Sequence, residues 1–105
     1  MAEIKDQVLA VCRKNILELP TCGQSIMNDV LFRMYEKIRM NYENDAVYRK
    51  ELKNLRDVCL NSVLGMLTGS RRVYTPVECR RMRLLLECVS AINIKFWIYI
   101  RYLQF

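Results

Sequence analysis

Residues 91–105 (AINIKFWIYIRYLQF) carry isoleucines and aromatics at more positions than a single buried helical stripe can absorb. A domain of about 100 residues buries well under three-quarters of the surface its unfolded chain exposes. A segment apolar on nearly every side must therefore lie deep in the core, enter a membrane or dock against another chain. Glu87, Asn93, Lys95 and Arg101 fall inside the roughly 20 residues a membrane span requires, which makes a spanning helix a poor reading. Burial in the core or against a partner is the expectation that remains.

Hydrophobic residues make up 52% of the chain, enough apolar material for one compact domain over residues 1–105 and too much for a disordered protein. Ile4, Val8, Val11, Cys12 and Ile16 recur at three- and four-residue intervals and predict a helix over about residues 2–18. The run from Leu19-Pro20 to Gly23 breaks it. Ser25 reads as the N-cap of a second helix whose stripe is Ile26, Val30, Met34, Ile38 and Tyr42, flanked by Met27, Leu31 and Tyr35. After a reset at Asn44-Asp45, Val47, Tyr48, Leu52, Leu55, Cys59, Val63, Met66 and Leu67 define a third helix, which Gly69-Ser70 can end. Thr75-Pro76-Val77-Glu78 is the clearest punctuation. Thr offers an oxygen to exposed amides, Pro is pre-set for the first helical position, and Glu at the third closes a capping box.

The fourth helix starts at Pro76, with Cys79, Met82, Leu86, Val89, Asn93, Phe96, Ile100 and Leu103 as its expected buried face. From Ile92 onward strict alternation fits a strand equally well, but no other segment offers a strand to pair with, so helix is favoured. The fold class predicted is all-α, a four-helix bundle-like single domain whose long last helix has an end that also fits an extended segment.

Chemistry is constrained mainly by what is missing. There is no histidine, which removes the commonest general base, the usual activator of a nucleophilic Ser or Cys, and every His-containing zinc site. Carboxylate pairs such as Glu43 with Asp45 or Glu51 with Asp57 sit in polar stretches, as ordinary surface groups do. Glycines are too scattered to cradle phosphate. The chain reads as noncatalytic, with no cofactor and no metal site.

Five cysteines form no CxxC pair, and the odd count without a secretory signal points to reduced thiols in cytosol or nucleus. Cys12 and Cys22 have nine residues between them, as in oxidised helical hairpins of the mitochondrial intermembrane space. Cys79 and Cys88 have only eight, and Leu19-Pro20 interrupts the first pair.

A net charge of +6 is spread along the chain, with clusters only at Arg71-Arg72 and at Arg80, Arg81 and Arg83. These five arginines are the candidate phosphate contacts of a second reading, a small basic nucleic-acid-binding helical protein. Tyr35, Tyr42 and Tyr48 could stack bases, but at helical spacing on an apolar face they read as core or interface. Trp97 and Tyr99 leave the expected inward face of the last helix and suit an interface anchor.

The order of these features resembles the helical domain of GINS subunits, small proteins of a four-chain assembly in the eukaryotic replicative helicase. The resemblance lies in residues 25–37 (SIMNDVLFRMYEK), in the E-x-x-x-x-R start at Glu51 and Arg56, in the arginines Arg71-Arg72, and in Tyr74-Thr75-Pro76-Val77-Glu78 where the family has L-[ST]-x-x-E. Leu19-Pro20 matches a leucine-proline step in one member. The layout spans nearly the whole chain. It departs at residues 63–67 (VLGML), where the family commonly has Tyr-Leu-x-x-Arg, and in lacking the family's small β-rich domain.

The resemblance implies a noncatalytic nuclear scaffold in DNA replication, its helices packed against sister subunits. The residues read by themselves imply a helical subunit of a nuclear or cytoplasmic hetero-oligomer. Its expected partner interface is Phe96, Trp97, Tyr99, Ile100, Tyr102, Leu103 and Phe105, together with the outer face of the third helix.

Overall fold

The computed structural model describes the backbone of residues 2–68 and 73–103 and the side chains of residues 4–68 and 73–94. Four helices follow in order: α1 (Ala2–Glu18), α2 (Ser25–Met40), α3 (Asp45–Leu67) and α4 (Pro76–Leu103). Each packs on two neighbours, α1 on α2 and α4, α3 on α2 and α4, so the four close into a ring around one core. Side-chain partners show that neighbouring helices run antiparallel. Lys37 of α2 meets Glu51 near the start of α3. Asn15 late in α1 meets Leu84 and Glu87 early in α4. This is the arrangement short connections impose on successive helices.

The helix boundaries have local causes. Cys22 (φ 43°) and Gly23 (φ 76°) both take the left-handed conformation and turn the chain between α1 and α2. Ser25 is the first residue of α2 rather than its cap; Gln24 occupies the cap position without a side-chain bond. Asn44 caps α3, its Oδ1 accepting from the Val47 amide at 3.2 Å. At α4 the capping box closes as expected: the Glu78 amide donates to Thr75 Oγ1 at 3.1 Å and the Thr75 amide donates to Glu78 Oε1 at 3.0 Å. The alternation after Ile92 belongs to a helix, since α4 continues to Leu103.

The core is built from Val8, Cys12 and Ile16 of α1, Leu31, Tyr35 and Ile38 of α2, Tyr48, Leu52, Leu55, Cys59 and Val63 of α3, and Leu84, Leu85, Cys88, Val89 and Ile92 of α4. Each large aliphatic among these contributes about 1.5–3 kcal/mol by leaving water. Lys5 is also buried. Its ammonium donates to the Tyr42 carbonyl oxygen at 2.9 Å and lies 4.9 and 4.7 Å from the Tyr42 and Tyr48 ring centroids, tying α1 to the turn before α3. Tyr35 and Tyr48 are therefore packing residues.

Two predicted stripes are rotated from where the structure places them. On α2, Ile26 is 80% exposed and Val30 40% exposed, while Leu31, Tyr35 and Ile38 turn inward. A strict four-residue step overshoots a helical turn by about 40°, so such a row winds off the buried face within a few repeats. On α4, Cys79, Leu86 and Asn93 are exposed and Met82 is half-buried, whereas Arg81, Leu84, Leu85, Cys88 and Ile92 face the core with Val89. The expected face is about 100° from the real one, one residue round the helix. Its central error is Arg81, placed in solvent by its charge and buried in fact.

Candidate docking groove

The apolar residues of α4 that miss the core converge with the end of α3. Val63 and Leu67 of α3 and Cys79, Met82, Leu86 and Ser90 of α4 line an open groove of about 500 Å³, edged by Arg83 and Glu87. Leu67 is 50% exposed and Leu86 44% exposed. Half-exposed leucines lining one open groove are the kind of apolar surface that marks interaction sites. Its cause is the antiparallel α3–α4 packing. The contact buries Val63 and leaves Leu67 and Leu86 half-exposed beside it.

The groove is edged by one cation and one anion: exposed Arg83 has its Nε 3.9 Å from Glu87 Oε1, at the limit of an ion pair. Arg80 is also exposed, outside the groove lining. Glu87 is held on its other oxygen, Oε2, by Asn15 Nδ2 at 2.9 Å.

Arg81, between them in sequence, points the other way. Its Nη1 donates to the Pro20 carbonyl oxygen at 2.8 Å and to Asn28 Oδ1 at 2.6 Å, clamping the start of α4 to the α1–α2 turn and α2. Burial lowers its pKa from the ordinary value, but a guanidinium keeps its proton at neutral pH. The five arginines singled out from the sequence therefore do not form one face. Arg80 and Arg83 reach solvent, Arg81 does not, and Arg71 and Arg72 lie outside the described residues. Of the expected interface, Phe96, Trp97, Tyr99, Ile100, Tyr102 and Leu103 sit on α4 with side chains outside the described residues, and Phe105 lies outside them altogether.

The cysteines divide in the same way. All five are free; Cys12, Cys59 and Cys88 are buried, while Cys22 and Cys79 are exposed, so neither spaced pair is bridged. Cys12 and Cys59 hydrogen-bond to Cys88 across the seam of α1, α3 and α4. That contact, with burial, pushes both thiols well above their ordinary pKa. Among the described residues no group of three His, Cys, Asp or Glu side chains is placed to hold a metal ion. No helix of the described residues is long and apolar enough to cross a membrane.

The groove was missed in the sequence because Cys79, Met82 and Leu86 read as the core face of α4. The signal that would have found it is the width of the apolar sector. Residues 79–92 supply two adjacent stripes, 82/86 and 84/85/88/92, and a ring of four helices can cover only one. Compared with protein-family models, curated proteins and solved structures, the chain matches none of them.

Proposed function

We propose that this protein is a noncatalytic helical subunit that binds a partner protein through the α3–α4 groove. The observation that carries the reading is the open channel in which Leu86 of α4 and Leu67 of α3 stand half-exposed, with half-buried Met82 beside them. A docked amphipathic helix would fill it with apolar side chains at i, i+3 or i+4 and i+7. Arg83 and Glu87 at its edge present both signs of charge to polar residues flanking that helix. Residues 96–103 continue the same helix, and the apolar sequence from Phe96 to Phe105 would enlarge the interface toward the roughly 800 Å² per partner of a standard complex. On the motif layout of the sequence, sister subunits of a GINS-like nuclear assembly are the first partners to try.

The test is copurification of the full chain from its native source, beside a Leu67→Glu/Leu86→Glu variant. Both positions are half-exposed, so the variant should fold with its thermal midpoint close to that of the parent and lose the partners the parent retains. A parent chain that is monomeric and retains no partner, or a double variant that keeps the same partners, overturns the proposal. The nucleic-acid reading predicts instead that binding falls steeply between low and moderate salt and responds to Arg80→Glu rather than to the groove variant.

A further inference from the structure

The groove edge on α4 carries its two charges in the less favourable order for a single helix. Arg83 precedes Glu87 by one turn, whereas an ion pair within a helix is better with the acid first. Arg83 Nε stands 3.9 Å from Glu87 Oε1, and the two side chains are 66% and 51% exposed, so both remain open to a charge from outside. Asn15 holds the other oxygen of Glu87 and so fixes that carboxylate where it is. Between the two charges sits half-exposed Leu86, with half-buried Met82 one turn before it and exposed Ser90 one turn after.

A helix laid along this face has to bring an acid to Arg83 and a base to Glu87, on either side of an apolar residue. Read antiparallel, α4 itself has that order. A two-fold axis beside residues 85 and 86 sets Arg83 of each copy opposite Glu87 of the other, Leu86 against Leu86, and the small Ser90 against Met82. From this self-complementarity we propose that the occupant of the groove is α4 of a second copy of this chain, packed antiparallel in an isologous dimer. Arg83 and Glu87 lie on one flank of the Leu86 row, so both cross-copy pairs form on the same side of the seam. A parallel pairing would set Arg83 against Arg83 and Glu87 against Glu87, and charge repulsion selects against it. At the contact the charges cancel, and at physiological salt the rest of the chain's +6 is screened beyond about 8 Å. The seam is short, well below the roughly 800 Å² per partner of a standard complex, so the dimer is reversible and comes apart on dilution. The inference rests on reading the groove as a protein-docking surface and names what docks there.

The test is sedimentation equilibrium of the full chain from about 1 to 500 µM in about 0.15 M salt, for the parent, Arg83→Glu, Glu87→Arg and a 1:1 mixture of the two variants. The parent is expected to pass from monomer to dimer over this range. Arg83→Glu changes an exposed side chain, keeps the fold, and sets carboxylates against carboxylates across the seam, so it should weaken the dimer at least about tenfold. Glu87→Arg should do the same with guanidiniums. In the mixture the acidic flank of one variant meets the basic flank of the other, and a dimer within about threefold of the parent's affinity should return. Should Glu87→Arg not fold for want of its Asn15 bond, Leu86→Glu takes its place, sets two carboxylates together at the axis, and should weaken the dimer at least about tenfold. A parent monomeric throughout, an Arg83→Glu or Leu86→Glu dimer as tight as the parent's, or a mixture no tighter than its folded components each overturns the second copy as occupant. The groove reading itself survives a monomeric parent whose copurifying partners are lost in Leu67→Glu/Leu86→Glu, so the two failures are told apart.

Discussion

The two sides of the first turns of α4 invert the usual relation between residue type and place. On one side the Arg81 guanidinium is buried against Pro20 and Asn28; on the other, Leu86 stands half-exposed along an apolar groove. Both follow from one rotational choice. Seating Arg81 against Pro20 and Asn28 brings Leu84, Leu85 and Cys88 to the core and turns 82 and 86 away from it. The stability of this bundle and its capacity to bind are thus set by adjacent residues of one helix. Local charge is a poor guide to which of them is buried.

The comparison can be broken first with a thiol reagent. Cys22 in the α1–α2 turn and Cys79 at the groove should alkylate freely at neutral pH. Cys12, Cys59 and Cys88 should react about a thousandfold more slowly, since all three are buried and are reached only by unfolding. Mass spectrometry of timed, quenched reactions reads this out, and a Cys79 as slow as Cys88 would show the groove to be closed.

Next come the neighbours Leu85 and Leu86. Leu85→Ala should cost about 3 kcal/mol in urea unfolding and Leu86→Ala less than about 1, because only the first leaves a cavity in the core. Equal costs would mean that α4 is seated on the other face.

Arg81→Met against Arg83→Met sharpens the same point. The first strips Nη1 from the Pro20 oxygen and Asn28 and should cost about 2 kcal/mol, while the second, on an exposed side chain at the edge of the groove, should stay within about 0.5. The smallest effect is a gain. Gly65→Ala should stabilise the chain by about 0.5–1 kcal/mol, because a helical glycine with open space at its Cβ carries backbone entropy for no packing reason.

Much of the fold was legible in the sequence. The Thr75-Glu78 box, the Asn44-Asp45 reset and the Leu19–Gly23 break act within a few residues of themselves, so these boundaries could be read directly, although Gln24 rather than Ser25 takes the cap position of α2. On α1 and α3 most of the expected stripe is buried, with Val8, Cys12 and Ile16, and Tyr48, Leu52, Leu55, Cys59 and Val63, in the core, but Leu67 at the end of the α3 stripe is half-exposed because it falls on the groove. On α4 the pattern is ambiguous because apolar residues occupy two adjacent sectors. Nothing in the order of residues shows that a carbonyl at Pro20 and an amide at Asn28 wait for Arg81. Those acceptors lie 61 and 53 positions away in the chain.

The sequence by itself determined that this is a helical chain of four segments, where the breaks between them fall, and that its last helix carries more apolar surface than one core contact uses. Tertiary structure alone decided which sector of α4 goes inward, which arginine of the cluster leaves solvent, and which apolar residues are left as a groove. The reason is range. Capping and helical periodicity act over one or two turns, whereas the burial of a charge is decided by acceptors that only the packed bundle brings within hydrogen-bonding distance.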